Sequence, residues 1–449
     1  MNLFESYKNR LAVSEKYYGN THNGEKMDSN RKLATAICLR NIDKIMNEAF
    51  ENSVGTQRSD LGLWKKFTLN LTTVALPNLI AHELVLVHPM TSMSGYVTYL
   101  SYTAGSNKGQ TRQGDLFNNP FKLGDIDVDY TAARVVESFT GATSPVTASW
   151  FPVYTGPATE AQARITSIVT NAGVVVPVAD DASVTVGDDG KTLTLSNGTG
   201  TSIQATDTVK VAYVYDNIAI PQNDIPQVTA KMDAIPLIAK ARRVAIYFSQ
   251  MAAFQAKTDY GYDLSAQLAE HASGILSYNI DTEITNGLYE NAAESGIEFD
   301  RTQPVGVSLK EHYDAFAKTI EEARVKIYDA TKKFNPNWML VSSSLMPILT
   351  LMTGFKAAPT GQVNGPYFAG TVSGLKVFVT PNIPTDRFVV GVLGNDMYTA
   401  AAVFAPYMAI VPTQLLQYAD GGTSQGFSTL YDFKMLNPAL LVRGKVIGK

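Results

Sequence analysis

The spacing of apolar residues predicts three long helices. Between residues 31 and 50 one face carries the apolar positions Ala34, Cys38, Ile42, Ile45 and Ala49, which follow the helical period of 3.6 residues. A second helix is predicted from its capping residue Asp263 to about residue 293, with an apolar stripe formed by Leu264, Leu268, Ala272, Ile275, Ile280, Ile284 and Leu288. A third is predicted to run from Ser308 to about residue 333, because Ser308 and Glu311 have the spacing of a capping box.

Runs rich in β-branched and aromatic residues predict strands between these helices. They lie at residues 95–102, 208–215, 240–247, 337–343, 375–380, 388–392 and 399–404. Ser249 is predicted to cap a short helix that ends near Thr258. Helices that alternate with strands in the C-terminal half predict layers of α and β structure.

The first 30 residues are polar and show no sustained period. We therefore expect an extended arm that becomes ordered through contact with neighbouring chains. Residues 51–70 are expected to be connecting chain, anchored by Trp64.

Residues 76–110 have the order of a β-hairpin arm. The apolar block 76–90 leads into the strand at 95–102, and the polar, glycine-rich run 105–110 is expected to form the tip. At about 3.3 Å per residue, a strand of ten residues reaches roughly 33 Å. The return chain at 217–236 is expected to be irregular, because it contains three prolines, Pro221, Pro226 and Pro236.

Residues 141–216 differ from the rest of the chain in charge and in pattern. They hold seven acids and three bases, which accounts for the whole formal net charge of −4. A helix is predicted near 158–171, followed by short strands, and Asp188-Asp189-Gly190-Lys191 is typical of a hairpin turn. We predict a small β-rich domain inserted in the arm, with an acidic exposed face.

Composition narrows the class of protein. The 449 residues are enough for several domains, and the one cysteine, Cys38, excludes an intrachain disulfide. No uninterrupted apolar run predicts a membrane span, and the polar start of the chain lacks the apolar region of a signal peptide. The basic stripe of a direct nucleic-acid binder is not visible, so composition does not favour tight direct binding of nucleic acid.

Two motifs resemble binding sites only in part. Gly187–Thr192 resembles half a phosphate-binding loop, but it is too short, and its two aspartates would repel a phosphate. The alternating aspartates of residues 125–129 resemble a calcium loop, but Tyr130 and Val136 replace its glycine and its glutamate. A hairpin turn and a strand with a solvated acidic face are the better interpretations.

The histidines give no catalytic or metal-binding pattern. The chain has five, scattered without pairing at i and i+4, so we expect no metal site. We likewise expect no cofactor and no enzymatic activity, since no nucleophile and base have a spacing that supports catalysis.

The segment Ala402–Thr413 is an apolar strand with prolines at two positions, Pro406 and Pro412. Because proline lacks the N–H of a central ladder position, we expect an edge strand or a bend. The segment Ala402–Thr413 resembles one in the major head proteins of contractile-tailed bacteriophages. Further resemblance lies in Leu76–Met90 with Gly95, and in the succession of strand 240–247, short helix, Gly261 and long helix. The resemblance depends on the shared order of these segments over residues 70–140 and 217–449.

The resemblance implies an α+β fold, the HK97-like phage capsid fold. It implies an N-terminal arm and helix at 1–66, the E-loop and its beginning at 67–140, a β-rich insertion domain at 141–216, the E-loop return at 217–247, a P-domain with its spine helix at 248–302, an axial A-domain at 303–424 and C-terminal P-domain strands at 425–449.

The function implied is that of a structural major capsid protein. Such chains self-assemble into hexamers and pentamers that form the icosahedral head of the virion, and we expect assembly in the host cytoplasm. The expected partners are other copies of the chain, with scaffold, portal and decoration proteins. Double-stranded DNA is expected to be enclosed without sequence-specific binding, and no membrane is involved.

The resemblance also suggests which residues contact neighbouring subunits. The expected contacts are Tyr96, Tyr99, Lys108, Arg112, Lys240, Arg242 and Arg243, the last three as ion-pair partners of a neighbouring arm. Lys108 and Lys122 are candidates, by position alone, for a covalent crosslink between subunits. Gly95, Gly105 and Gly109 are expected to let the arm bend.

Other functions stay open at this point. An encapsulin-like nanocompartment shell and a vertex (pentamer) capsid protein share the fold. In a different class, a secreted adhesin or carbohydrate-binding protein could use the β-rich residues 141–216, although it would need a secretion signal.

Overall fold

Two units make up the chain in the computed structural model. One comprises residues 1–98 and 234–449, and the other residues 99–233. The structure describes residues 3–21, 26–52, 68–69, 71–109, 111–119, 122–123, 130–140, 145–154, 163–216, 225–259, 261, 264–358, 365–394, 396, 399–413, 416–418 and 421–448. The expectations for Trp64, Asp263 and residues 125–129 lie outside this part of the chain.

Helices of the described residues all belong to the first unit. They include α1 (Leu3–Ser6), α2 (Lys8–Thr21), α3 (Ser29–Asn52), α4 (Ala81–Leu84), α5 (Gln250–Asp259), α6 (Leu264–Asn291), α7 (Leu309–Asp314), α8 (Phe316–Thr331) and α9 (Met346–Leu351). Short 3₁₀ turns lie at Leu76–Asn78, Ser343–Leu345 and Pro438–Leu440.

The strands are numbered along the whole chain. They are β1 (Leu86–Val87), β2 (Ser94–Ala104), β3 (Leu116–Asn119), β4 (Lys122–Leu123), β5 (Arg134–Thr140), β6 (Val146–Thr147), β7 (Arg164–Val169), β8 (Val175–Val176), β9 (Ser183–Val186), β10 (Thr192–Ser196), β11 (Thr208–Val214), β12 (Val228–Ile238), β13 (Lys240–Ser249), β14 (Ala293–Asp300), β15 (Trp338–Ser342), β16 (Lys356–Ala357), β17 (Tyr367–Val372), β18 (Leu375–Thr380), β19 (Arg387–Gly391), β20 (Ala402–Pro412), β21 (Leu416–Gln417), β22 (Gly422–Met435) and β23 (Leu441–Ile447).

In the first unit, one sheet has the strand order β1-β20-β22-β13, with β21 also paired to β22. The expectation of an edge position for β20 is therefore wrong, since β20 pairs with β1 on one side and with β22 on the other. The ladder tolerates Pro406 because its pairing with β22 shifts between Pro406 and Met408. On the other side the Pro406 carbonyl accepts a hydrogen bond from Met90 N at 2.9 Å.

A second sheet of this unit has the order β14-β23-β19-β15-β18-β17-β16. The predicted strand at 337–343 is confirmed as β15, and its five residues are all buried, as the central strand of an α/β layer requires. The last strand of the chain, β23, lies between β14 and β19 of this second sheet. Its assignment to the P-domain stays a prediction.

The long helix α6 confirms the second predicted helix and packs against both sheets. Ala272 and Leu276 join a cluster with Ile410 and Phe427, whereas the more C-terminal positions join the main core, namely Ile280, Ile284 and Leu288. These buried positions are spaced by four residues, so the buried face turns gradually around the helix. Ile275 was expected on this stripe, but it lies on the flank and is 49% exposed.

The first helix predicted from the sequence is confirmed as α3, but the expectation of an extended arm before it is wrong. Residues 8–21 form α2, which buries Leu11, Ser14 and Tyr18. Ser14 donates a hydrogen bond to the Thr73 carbonyl oxygen at 2.9 Å. The helical period is hard to see in the sequence because a polar residue occupies the middle of the buried face.

The third predicted helix is confirmed at its start and is interrupted later. Glu311 N donates to Ser308 Oγ at 3.3 Å, and Ser308 N donates to Glu311 Oε2 at 3.2 Å, which completes the capping box. The helix then breaks at Ala315 into α7 and α8. Ser249 is likewise confirmed as a cap, since its hydroxyl oxygen accepts from Ala252 N at 3.2 Å.

The second unit holds two small sheets, β5-β11-β7-β8 and β6-β10-β9. The hairpin turn predicted at residues 188–191 is confirmed, because β9 and β10 pair in antiparallel fashion on either side of it. The helix predicted near 158–171 is wrong over its described residues, where β7 pairs with β11. Residues 158–162 lie outside the description. The finer division into seven domains stays a prediction.

Candidate inter-subunit surface on the arm

The arm is a sheet of strand order β12-β2-β3-β4. The chain passes between the two units within β2 and within β12. β12 includes Pro236, so the expectation of an irregular return chain is wrong over residues 228–236. The alternation of apolar side chains at Val228, Ala230, Met232 and Ala234 was the available signal.

The period of β2 separates the two tyrosines predicted as contacts. Even-numbered positions of the strand from residue 94 to residue 102 are exposed, and Tyr96 is 72% exposed. Leu100 and Tyr102 share this alternation and are exposed as well, whereas Tyr99 is half-buried. Tyr96 therefore has the exposure that a contact residue needs.

Further apolar side chains are exposed on β12, and sequence reasoning did not select them. Met232 is 71% exposed, and Val228 and Ile238 are also exposed. A soluble subunit gains nothing from exposed large apolar side chains that follow one another along two strands, and such patches are typical of interaction sites.

Lys108 was expected on the surface of the arm tip, but it is 3% exposed. Its ammonium group donates to the Tyr130 carbonyl oxygen at 2.9 Å and also to the carbonyl oxygen of Ala132. The rings of Trp150 and Tyr215 flank the ammonium, with centroids 5.5 and 5.0 Å away. This is a correction to the sequence interpretation: the structure holds the charge of Lys108 inside the second unit.

The same junction explains two of the glycines. The Tyr130 hydroxyl donates to the Gln227 carbonyl oxygen at 2.6 Å, and Gly105 N donates to the same oxygen at 2.7 Å. A Cβ at position 105 would lie 2.8 Å from Thr229 Oγ1, and Gly109 has a φ of +59°. Both positions thus need glycine for the folded tip, and their role in bending the arm stays a prediction.

Arg242 and Arg243 are adjacent on β13 but face opposite sides of the strand. Arg242 forms an ion pair with Glu283 of α6, with Nε 3.2 Å from Oε2. Its Nη1 donates to the Tyr431 carbonyl oxygen at 2.9 Å, and its guanidinium carbon lies 3.9 Å from the centre of the Tyr431 ring. Arg242 thus has its ion-pair partner within the subunit, and its ion pair with a neighbouring arm stays a prediction. Lys240 and Arg243 are exposed.

Burial and the Glu283 carboxylate also shift the pKa of the Tyr431 phenol. Its hydroxyl donates to Glu283 Oε2 at 2.5 Å. Burial, followed by this hydrogen bond and the negative charge of Glu283, raises the pKa of the Tyr431 phenol. Arg242, Glu283 and Tyr431 thus form one network that joins β13, α6 and β22.

Arg112 lies at the tip of the arm and is exposed, with its backbone N donating to Asp115 Oδ2 at 2.7 Å. The backbone of Lys122 belongs to β4, but its side chain lies outside the description. Its suggested role in a crosslink stays a prediction.

Metal ligands do not cluster in the part of the chain that the structure describes, where no three of His, Cys, Asp and Glu are placed to share an ion. None of the described helices is both long and apolar enough to span a membrane.

Comparison with known proteins supplies the family. The profile of the family Major capsid protein Gp23 matches residues 61–446. The major capsid protein of Enterobacteria phage T4 is 23% identical over 392 residues, which is 80% of this chain and 72% of that protein.

Solved structures show weaker similarity. A chain from Mycobacterium phage Cain matches with a TM-score of 0.39 and 10% identity, covering 82% of this chain and 90% of that one. The capsid of Myoviridae phage XM1 matches with a TM-score of 0.37 and 9% identity, covering 51% and 81%. The assignment rests on the family profile, which leaves unmatched only the first 60 and the last three of the 449 residues. The chain therefore belongs to the Major capsid protein Gp23 family, the structural proteins of phage capsids.

Proposed function

We propose that this capsid protein builds an icosahedral head from hexamers and pentamers, and that the exposed apolar residues of the arm contact neighbouring copies. The observation that carries the proposal is the set of exposed side chains on β2 and β12, which comprises Tyr96, Leu100, Tyr102, Val228 and Met232. Contacts between the arm of one copy and a different surface of the next are heterologous, and such contacts can close into rings.

The free energy of one such contact is modest, but a shell repeats the contact in every copy of the chain. Burying one exposed Met or Leu side chain contributes roughly 1.5 to 3 kcal/mol. Every copy in a shell makes the contact and also receives it, so modest single contacts give a stable assembly. Lys240 and Arg243, which are exposed on β13, are proposed as ion-pair partners of the neighbouring arm, and Arg112 as a polar contact at its tip.

Enclosure of double-stranded DNA without sequence-specific binding completes the proposal. The formal net charge of −4 supports a container, because direct binding to the phosphate backbone depends on many basic side chains. We propose scaffold, portal and decoration proteins as further partners and the host cytoplasm as the place of assembly, on the family resemblance alone. On the same ground we propose that the protein has no enzymatic activity.

The proposal is tested by negative-stain microscopy of the purified chain together with a Met232→Asp variant. We expect the unchanged chain to form hexamers or shells. The variant should remain unassembled, because a charge replaces an exposed apolar contact. Thermal unfolding of the unassembled subunits should be alike, since Met232 is 71% exposed and contributes little to the core.

A matched control separates the arm from the rest of the second unit. Val174 is an exposed apolar residue beside β8, and Val174→Asp makes the same change of charge there. We expect this control to assemble. Monomers from the unchanged chain at high concentration would refute the proposed assembly. Normal shells from Met232→Asp would refute the role of the arm face.

A further inference from the structure

A tight turn between β14 and α7 exposes an apolar side chain. Val307 N donates to the Pro304 carbonyl oxygen at 3.4 Å, and Gly306 has a φ of +88°, the positive φ that a type II turn needs at its third position. Val305 occupies the second position and is fully exposed. Val307 and Leu309 beside it are also exposed.

The turn is braced on both sides. Gln303 Nε2 donates to the Val307 carbonyl oxygen across the turn at 2.6 Å. On one side Arg301 N donates to the Ile447 carbonyl oxygen of β23 at 2.8 Å, and on the other the capping box of Ser308 and Glu311 fixes the start of α7. The backbone that carries Val305 is therefore braced by hydrogen bonds on both sides of the turn.

The exposed side chain of Val305 contributes nothing to the core of its own subunit. It does suit a contact with another molecule, because a contact residue that is already ordered loses little conformational entropy on binding. Apolar anchors of this kind enter pockets of a partner and contribute much of the binding energy.

The charge near the turn favours a protein partner over DNA. Residues 300–311 contain two acids and two bases, and Arg301 is paired with Asp386 at 2.5 Å. The surroundings of the turn are therefore close to neutral, whereas a DNA-binding surface would carry an excess of basic residues. Because chains of this family assemble with each other, the partner that fits best is a second copy.

We propose that the turn of residues 303–307 is an inter-subunit contact, in which Val305 of one copy packs against the apolar surface of a second copy. The proposal rests on the proposed function, since it needs the chain to assemble. It adds a contact surface at a distinct segment of the first unit, which sequence reasoning did not select.

The first experiment measures the accessibility of the position directly. The chain has one cysteine, Cys38, which is buried, so a Val305→Cys variant carries a single accessible thiol. In unassembled subunits this thiol should react at once with a maleimide reagent, and in assembled particles at least about tenfold more slowly, the equivalent of about 1.4 kcal/mol of protection. Equal rates in subunits and particles would overturn the proposal.

The second experiment tests the contribution of the contact. Val305→Asp should raise the protein concentration needed for assembly by about tenfold or more, and Val305→Thr, which keeps the shape, should raise it less. Both unassembled variants should unfold at the temperature of the unchanged chain, because the side chain lies outside the core. Normal assembly of Val305→Asp would refute this contact alone. Failure of the unchanged chain to assemble would refute the proposed function instead.

Discussion

Asp281 gives the protein a predictable dependence of stability on pH. This residue of α6 is buried and accepts a hydrogen bond from Ile80 N at 3.1 Å. Burial raises the pKa of its carboxyl group from 3.8 to about 7, although the Ile80 hydrogen bond acts in the opposite direction. The folded state therefore holds a proton that the unfolded state releases between these two values.

The direction in which stability changes with pH follows from proton linkage. Because the pKa of Asp281 is higher in the folded state, its contribution favours folding most at acidic pH and falls as the pH rises from 3.8 to about 7. At about 1.4 kcal/mol per pKa unit, the loss amounts to roughly 4 kcal/mol. Above neutral pH the loss is complete, and an ionised carboxylate remains in the interior of the first unit.

Asp281→Asn removes this titration and keeps the shape of the side chain, including an oxygen that can accept from Ile80 N. In urea unfolding of the unassembled subunit, we expect the variant to be more stable than the unchanged chain at pH 8, by up to about 4 kcal/mol. The difference should shrink steadily towards pH 4. Asp329→Asn, a change at an exposed position of α8, is the control and should leave the pH profile unaltered. An Asp281→Asn variant with the same pH slope as the unchanged chain would refute the reasoning.

Two further predictions concern stability within each unit. Lys108→Met should destabilise the second unit by about 2 to 4 kcal/mol in urea unfolding, because two buried carbonyl groups lose their donor. The control Lys231→Met changes an exposed lysine of the same unit and should cost little stability. Equal losses of stability in the two variants would contradict an internal role for Lys108. Gly287→Ala should destabilise α6 by about 1 to 3 kcal/mol, since the new Cβ would lie 2.4 Å from the Phe433 ring. In Gly274→Ala of the same helix, the new Cβ meets nothing within 4 Å and should stabilise the helix by up to about 1 kcal/mol. Gly274→Ala should therefore unfold at a higher temperature than Gly287→Ala. The opposite order would contradict the packing of Gly287 against Phe433.

Elements with a strong and uniform pattern were predictable from the sequence. The capping box at Ser308 and Glu311 and the fully buried strand β15 each follow from one local rule, namely side-chain spacing or an unbroken apolar run. The order of strands in a sheet follows no such rule. The position of β23 between β14 and β19 depends on pairing with residues 147 to 149 positions earlier in β14 and 50 to 58 positions earlier in β19, which a local pattern does not contain.

Two of the wrong predictions share a physical cause, which is compensation by groups elsewhere in the chain. Pro406 argued for an edge strand, but a shift in the pairing with β22 lets the strand remain central. The polar Ser14 obscured the period of α2, yet it is buried because the Thr73 carbonyl accepts its hydrogen bond. In both cases the local rule holds, and a partner elsewhere in the chain removes its cost.

The candidate surface was predictable only as far as the strand period separates its two sides. Alternation along β2 separates Tyr96 from Tyr99 in the sequence, whereas the structure shows which of the two sides is exposed. The environment of Lys108 could not be read from the sequence, because its two carbonyl acceptors and two aromatic rings come from residues 22 to 107 positions further along the chain.

The adjacent residues Arg242 and Arg243 show that residue type alone does not determine which groups a side chain contacts. Both were expected to reach a neighbouring arm, and both have the same charge and length. On β13 the even-numbered side chains Arg242, Val244 and Ile246 share the half-buried side, and Val244 and Ile246 pack there against a core cluster. Arg242 is therefore directed to Glu283 of its own subunit, whereas Arg243 shares the exposed side. Period two was visible in the sequence, so an assignment of contact residues should start from the face of the strand and consider charge second.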